Sequence, residues 1–253
     1  MDAKELQRQL GVARDIQSWL LPQKLPRVGG YDFDAAYDAS DDIAGDFYDF
    51  IEHEQGQVGF VVAETTETGV PAALVMAHAR GVLRDVARTE SNPPYILQAL
   101  NERLLSQLRN ATFVTAIYAK LVPISRSMLV ACAGHLPMFV VRARTGACER
   151  VQPPGVALGS ADPAVFNPLM EGTSVMLAPG DRFVLATDAC VETRNLGGEP
   201  FGLDRLEETI VVHAARASSD FTARVMGTLA RWRGPGRRAD DVTIVTGRML
   251  PAI

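Results

Sequence analysis

The order in which apolar periodicities follow one another constrains this chain most. Residues 31–65 hold three short runs of β character, YDFDAAYDA, DFYDFIEHE and QVGFVVAET, with a hairpin signal at Glu54-Gln55-Gly56 between the second and third. Two helical segments follow. One is AALVMAHARGVLRDVART, entered through Pro71, which fits a first helical turn; the other covers about residues 94–108, with Ile96, Leu97, Leu100, Leu104 and Leu108 on one face. The chain then returns to strands in FVTAIYAKLVP, SMLVACAGH, PMFVVRAR and SVMLAPGDRFVLATDA, before helices near 204–215 and 219–232 and a last strand, DVTIVTGRML. Strands cluster and helices come in pairs, which is the order of an α+β fold with antiparallel sheets and not of alternating βαβ units.

Ahead of the first strand, Leu6, Leu10, Ala13, Ile16, Gln17 and Leu20 recur near helical spacing until Pro22 and Pro26 break the pattern, so a helix is expected over 3–21. The chain thus divides into an amphipathic N-terminal helix, 1–25, and one large domain, 26–253, for which 47% hydrophobic residues supply an ample core. The 25 basic and 30 acidic residues, net charge -5, form no long blocks, which leaves no basic face for nucleic acid. The N-terminus lacks the basic start and unbroken apolar stretch of a signal peptide, and no apolar run is long enough to span a bilayer. A cytoplasmic protein with no membrane role is the expectation. Cys132, Cys148 and Cys190 stand far apart without CxxC or Cys/His spacing, so they read as reduced core residues and not as a disulfide framework or structural zinc.

Four acidic residues fall at the ends of these strands. Asp46 lies in AGDFYDF, Glu64 ends VGFVVAE, Asp188 ends RFVLATD and Asp240 opens DDVTIVT. Side chains at strand ends project from the rim of a sheet, and several carboxylates converging there repel unless a cation or protons intervene. Ligand sets made only of oxygen suit Mg²⁺ and Mn²⁺ better than zinc or copper. Singly, none of these residues is diagnostic, because Asp at strand ends is commonly turn chemistry or a helix cap.

The text around them carries a resemblance. ARDIQSWLLPQKLP resembles AREIQ…LLP, AGDFYDF resembles GGDFYD, and ETTETGVPAAL resembles DVSGKGVPAAL; FVTAIYAKL, ACAGHLPMFV, ATDACVETRN and ADDVTIV match, in order, the FVTA, AGH, TDG…TE.RN and SDDITLL segments. In this ordered set the chain resembles the bacterial sporulation and stress-response (SpoIIE/RsbU-like) branch of the metal-dependent type 2C (PPM) protein serine/threonine phosphatases, nearly end to end. The resemblance implies a sandwich of two antiparallel sheets flanked by helical pairs, a four-layer αββα plan, with two Mn²⁺ or Mg²⁺ ions at one edge. It implies metal ligation by Asp46, Glu64, Asp188 and Asp240 together with the backbone carbonyl of Thr65, and a nucleophilic water between the two ions, with no protein nucleophile. The absence of a GxSxG elbow agrees with that. Asp49, Glu67 and Asp241 are candidates for an outer shell, and the AGH segment with His135 reads as a structural turn.

Two departures matter. Glu64 stands where the family has Asp, lengthening the bridging carboxylate by a methylene, and Glu67 replaces a glycine in a turn where positive φ is expected; Ala44 and Ala189 replace two further motif glycines. One reading is an active phosphatase whose partner is a phosphorylated regulatory protein, a phosphoserine or phosphothreonine on an anti-sigma-antagonist-like protein. The alternative is a pseudophosphatase, a partner-binding regulator with weak or no catalysis. The N-terminal helix is a candidate dimerisation or docking element, with packing on its own domain as the alternative.

Overall fold

Where a strand is covered on both faces its apolar run is unbroken, and where one face meets a helix through polar contacts it alternates. A computed structural model describes residues 2–40, 42–108, 112–236 and 238–251. Strand β3 (Val58–Thr65) sends Val58, Phe60 and Val62 into the space between two sheets and Val61 and Ala63 toward the helices outside. Strand β4 (Val114–Val122) does the same with Ile117, Ala119 and Leu121 against Val114, Ala116 and Tyr118. Strand β1 (Tyr31–Asp38) is the alternating case. Phe33 and Tyr31 face the inter-sheet core, while Asp32 accepts a 2.6 Å hydrogen bond from the Ser218 backbone nitrogen at the start of a helix and Asp34 accepts one from the Thr222 hydroxyl. The carboxylates in YDFD therefore cap and seat that helix.

The sheets are both five-stranded and antiparallel. One has the order β1-β10-β9-β6-β7 and the other β2-β3-β4-β5-β8, with β2 Phe47–Glu52, β5 Ser127–Ala133, β6 Met138–Val141, β7 Cys148–Val151, β8 Thr173–Met176, β9 Arg182–Ala186 and β10 Val242–Met249. Helices α2 (Gly69–Val86) and α3 (Pro93–Gln107) cover the second sheet through Met76, Leu83, Ile96 and Leu100; α6 (Leu203–His213) and α7 (Ser218–Arg233) cover the first through Leu206, Ile210, Phe221 and Val225. Between the sheets lie Phe33, Phe60, Phe183, Met128 and Val245. The result is the expected α+β sandwich in four layers, with α1 (Ala3–Leu20) added at one side. Among the described residues no helix is long and apolar enough to cross a membrane.

Three local expectations are corrected. SVMLAPGDRFVLATDA is two strands, β8 and β9, in different sheets. Pro179 offers no backbone donor, Gly180 has φ 92°, and the Asp181 carboxylate pins the turn by accepting from the Ala178 and Ala143 backbone nitrogens at 3.1 and 2.9 Å. PMFVVRAR continues through a turn into a second short strand, β7, paired with β6. Short helices α4 (Pro163–Leu169) and α5 (Ala189–Glu192) carry no sequence period of their own because each spans two turns or fewer.

Candidate metal centre

Strand ends from both sheets meet at one rim. Asp46 immediately precedes β2, Glu64 and Thr65 end β3, Asp188 follows β9 by one residue beyond Thr187, and Asp240 and Asp241 lead into β10. All six line one cavity of about 270 Å³, together with Glu67 and Thr115, and among its described lining residues there is no Lys, Arg or His.

The loop carrying Asp46 is held from three directions. The Asp241 carboxylate accepts from the Gly45 backbone nitrogen at 2.8 Å with one oxygen and from the Ser40 backbone nitrogen and hydroxyl at 2.7 and 3.0 Å with the other. The side-chain amide of Gln17, on α1, donates to the Ala44 carbonyl at 2.8 Å and accepts from the Ala44 nitrogen at 2.9 Å. Gly45 lies so close to β3 and α2 that a Cβ there would stand 2.6 Å from Thr65 Oγ1 and 3.0 Å from the Ala72 Cβ. The constraint thus falls on Gly45, and Ala44 is accommodated in a buried position.

Within the cavity the carboxylates face one another. Asp46 is 4% exposed and accepts a hydrogen bond from Thr243 Oγ1 at 2.9 Å; burial, then the charges of Glu64 and Asp241, push its carboxyl well above the usual range. One oxygen of Glu64 accepts from Thr115 Oγ1 at 2.9 Å and the other from the Asp188 backbone nitrogen at 3.3 Å. Burial raises the Glu64 carboxyl and, with the neighbouring Glu64 charge, pushes Asp188 up to about 7. Asp240 is raised chiefly by burial. Four acids thus resist ionisation beside one another, with no cationic side chain among the described lining residues to relieve them. That is the electrostatic condition a divalent cation satisfies, and the donors are all oxygen, which fits Mg²⁺ or Mn²⁺. Among the described residues no three His, Cys, Asp or Glu side chains stand close enough to hold an ion by themselves, so the Thr65 carbonyl and water would belong to any complete shell.

Asp49 is not part of this arrangement, and its reading as an outer-shell residue is corrected. It lies within β2 and points to α2, where its carboxylate, 1% exposed, accepts from Arg84 Nη1 at 2.7 and 2.8 Å and pairs with Arg80 Nη2 at 2.9 Å. Its work is to fasten α2 to the sheet. Glu67 lines the cavity but is exposed and accepts from Thr112 Oγ1 at 2.9 Å. The left-handed residue of its turn is Gly69, with φ 65°, and Glu67 itself is not among the positive-φ residues, so the glycine-to-glutamate change strains no backbone here. The neighbouring Cys190 thiol is fully buried and raised far above its ordinary range by burial, which removes it as a nucleophile. All three cysteines are free.

Thr115, Thr243 and Gln17 contribute polar contacts that motif reading passed over, although all three sit inside the matched stretches. The available signal was a polar side chain on an otherwise apolar face: Gln17 shares the spacing of Leu10, Ala13 and Leu20, and it is the buried residue of α1.

The chain is similar to known proteins in sequence and fold. Over 247 residues the chain is 23% identical to phosphoserine phosphatase RsbU of Bacillus subtilis, covering 97% of this chain and 71% of that protein. The SiaA-PP2C domain of Pseudomonas aeruginosa superposes with a TM-score of 0.86 at 25% identity, covering 98% and 99% of the two chains. At 13% identity, which speaks for the fold alone, the catalytic domain of serine/threonine phosphatase PstP, solved with 2 manganese ions, gives 0.62 over 87% and 98%. The family model described as Stage II sporulation protein E (SpoIIE) matches residues 54–249, well over half of the sequence. The chain therefore belongs to the SpoIIE family, as an RsbU-like member of the metal-dependent type 2C phosphatases.

Proposed function

We propose that this chain is a Mg²⁺- or Mn²⁺-dependent phosphatase that removes phosphate from a phosphoserine or phosphothreonine on a regulatory protein of the anti-sigma-antagonist kind. The observation that carries the reading is the convergence of Asp46, Glu64, Asp188 and Asp240 from both sheets on one cavity whose described lining holds no basic side chain. Bound there, the two cations supply Lewis acidity toward water and the phosphoryl oxygens. The chain's part is to present the carboxylates and the Thr65 carbonyl in fixed positions: Asp241 and Gln17 hold the Asp46 loop, and Thr115 and the Asp188 nitrogen hold Glu64. The similarity to a phosphoserine phosphatase supports the substrate class. The outer stripe of α1, with Val12 and Ile16 each 48% and Trp19 72% exposed, supports the reading of residues 1–25 as a docking or dimerising segment.

A second reading, a partner-binding pseudophosphatase, draws on Glu64, whose longer side chain is committed to Thr115 and Asp188. The unstrained turn at Glu67 and Gly69 weakens it. Calorimetric titration with Mn²⁺, followed by phosphate release from a phosphoserine protein, separates the two. The active reading expects Mn²⁺ uptake and turnover that vanishes in Asp188→Asn. Uptake only at millimolar Mn²⁺, with activity created by Glu64→Asp plus Glu67→Gly, would establish the pseudophosphatase instead.

A further inference from the structure

The AGH turn has no part in the metal-site reading, yet it touches Glu64 through one intermediary. Gly134 has φ 68°, and a Cβ there would stand 3.0 Å from the Ala157 backbone nitrogen, so glycine is required for the reversal that follows β5 and brings His135 beside Thr115. The His135 backbone is fixed, its carbonyl accepting from Cys132 Sγ at 3.2 Å and Gln152 Nε2 at 3.1 Å, and the residue is 3% exposed. Its Nδ1 lies 2.8 Å from Thr115 Oγ1, the same hydroxyl lies 2.9 Å from Glu64 Oε1, and Nδ1 to that oxygen is 3.7 Å. Glu64 and Thr115 are directly opposed across β3 and β4.

Thr115 Oγ1 donates to Glu64 Oε1, so its proton faces the carboxyl group, the hydroxyl oxygen presents a lone pair to the ring, and Nδ1 is the donor. We infer that His135 is a positioning residue. Its Nδ1–H donates to Thr115, whose hydroxyl donates to Glu64 Oε1, and this relay sets the orientation of the carboxylate that carries the motif's extra methylene. Nε2 is then the unprotonated nitrogen, buried and without a hydrogen-bond partner. The consequence for metal binding rests on the proposed ligand role of Glu64; the relay itself does not. Outer partners that orient ligands are worth roughly 10- to 100-fold in metal affinity.

The test has a metal-free and a metal-dependent arm, both on the full chain. Long-range ¹H–¹⁵N spectra at neutral pH, with His135 assigned by its loss in His135→Asn, are expected to show the proton on Nδ1. A proton on Nε2 overturns the relay whatever the metal does. In Mn²⁺ calorimetry, His135→Leu and Thr115→Val are expected to lose roughly 10- to 100-fold in affinity. His135→Asn, whose amide nitrogen falls near the Nδ1 position, and Thr115→Ser are expected to rescue it. Wild-type affinity in folded Thr115→Val, judged by its melting curve, overturns the positioning role and leaves His135 as packing. A wild-type chain that takes up no Mn²⁺ refutes the metal reading, while the tautomer still decides the relay.

Discussion

The contact between Gln17 and Ala44 offers a quantitative test of how the N-terminal helix is joined to the domain. Gln17 is 6% exposed and Ala44 1%, and the amide satisfies both the Ala44 N–H and its carbonyl, at 2.9 and 2.8 Å. Gln17→Ala leaves two buried backbone groups without partners. Each such group costs about 1–3 kcal/mol, and water admitted to the space left by the side chain relieves part of that, so a loss of about 2–3 kcal/mol is expected. Gln17→Glu is sharper: it keeps an acceptor for the Ala44 N–H but sets a carboxylate oxygen against the Ala44 carbonyl, and it should lose about as much. Urea unfolding of both variants, with the slope m unchanged, measures the difference directly. Because Ala44 and Gly45 precede Asp46, Mn²⁺ affinity should fall in the same variants. A stability loss below about 0.5 kcal/mol, the scatter of ordinary surface substitutions, would show that the clamp contributes nothing and refute the reasoning.

Gly45→Ala should lose about 1–3 kcal/mol by overpacking against Thr65 and Ala72, measured by thermal melting, and should weaken Mn²⁺ binding, since the displaced loop carries Asp46. Asp49→Ala removes the acceptor of two arginines at a position 1% exposed and should destabilise by about 3 kcal/mol in chemical denaturation, with Arg80 as the group left stranded. In the metal-free chain, Asp188 has a folded pKa near 7 against an unfolded value near 4, so the folded state holds the extra proton between them. Its stabilising contribution is complete below about pH 4 and is lost as pH rises through 7. Denaturation across that range should show Asp188→Asn gaining on the wild type as pH rises; a gap that stays constant would contradict the raised pKa.

Much of the fold was legible because period and order coincide. The paired helices and the hairpin at Glu54–Gly56 follow from local spacing and turn chemistry, and the structure has them within about two residues. The division of strands between sheets was not legible locally. β8 and β9 sit on one apolar stretch, yet one pairs with β5 and the other with β10, a choice made by the long-range contacts of each and by the Asp181-pinned turn. At the site, the motifs led to Asp46, Glu64, Thr65, Asp188, Asp240, Glu67 and Asp241 in one cavity, but spacing alone misplaced Asp49, since side chains three apart on a strand point to opposite faces. Thr115, Thr243 and His135 act through tertiary contacts from strands distant in sequence, and no local period announces them.

The four-layer sandwich is unevenly glued along its strands. At the end away from the cavity, Phe33, Phe50, Phe60 and Phe183 interlock across the two sheets with ring centroids 5.1 to 6.4 Å apart. At the other end, acids from the two sheets confront one another. The molecule is thus built like a clothes-peg, with a greasy fulcrum and jaws latched by hydrogen bonds from Thr243 to Asp46 and from the Asp188 nitrogen to Glu64. Cations shared by Asp46 and Glu64 on one sheet and Asp188 and Asp240 on the other would rivet the same jaws, so that occupancy would stiffen the end of the sandwich that the aromatic rings do not reach.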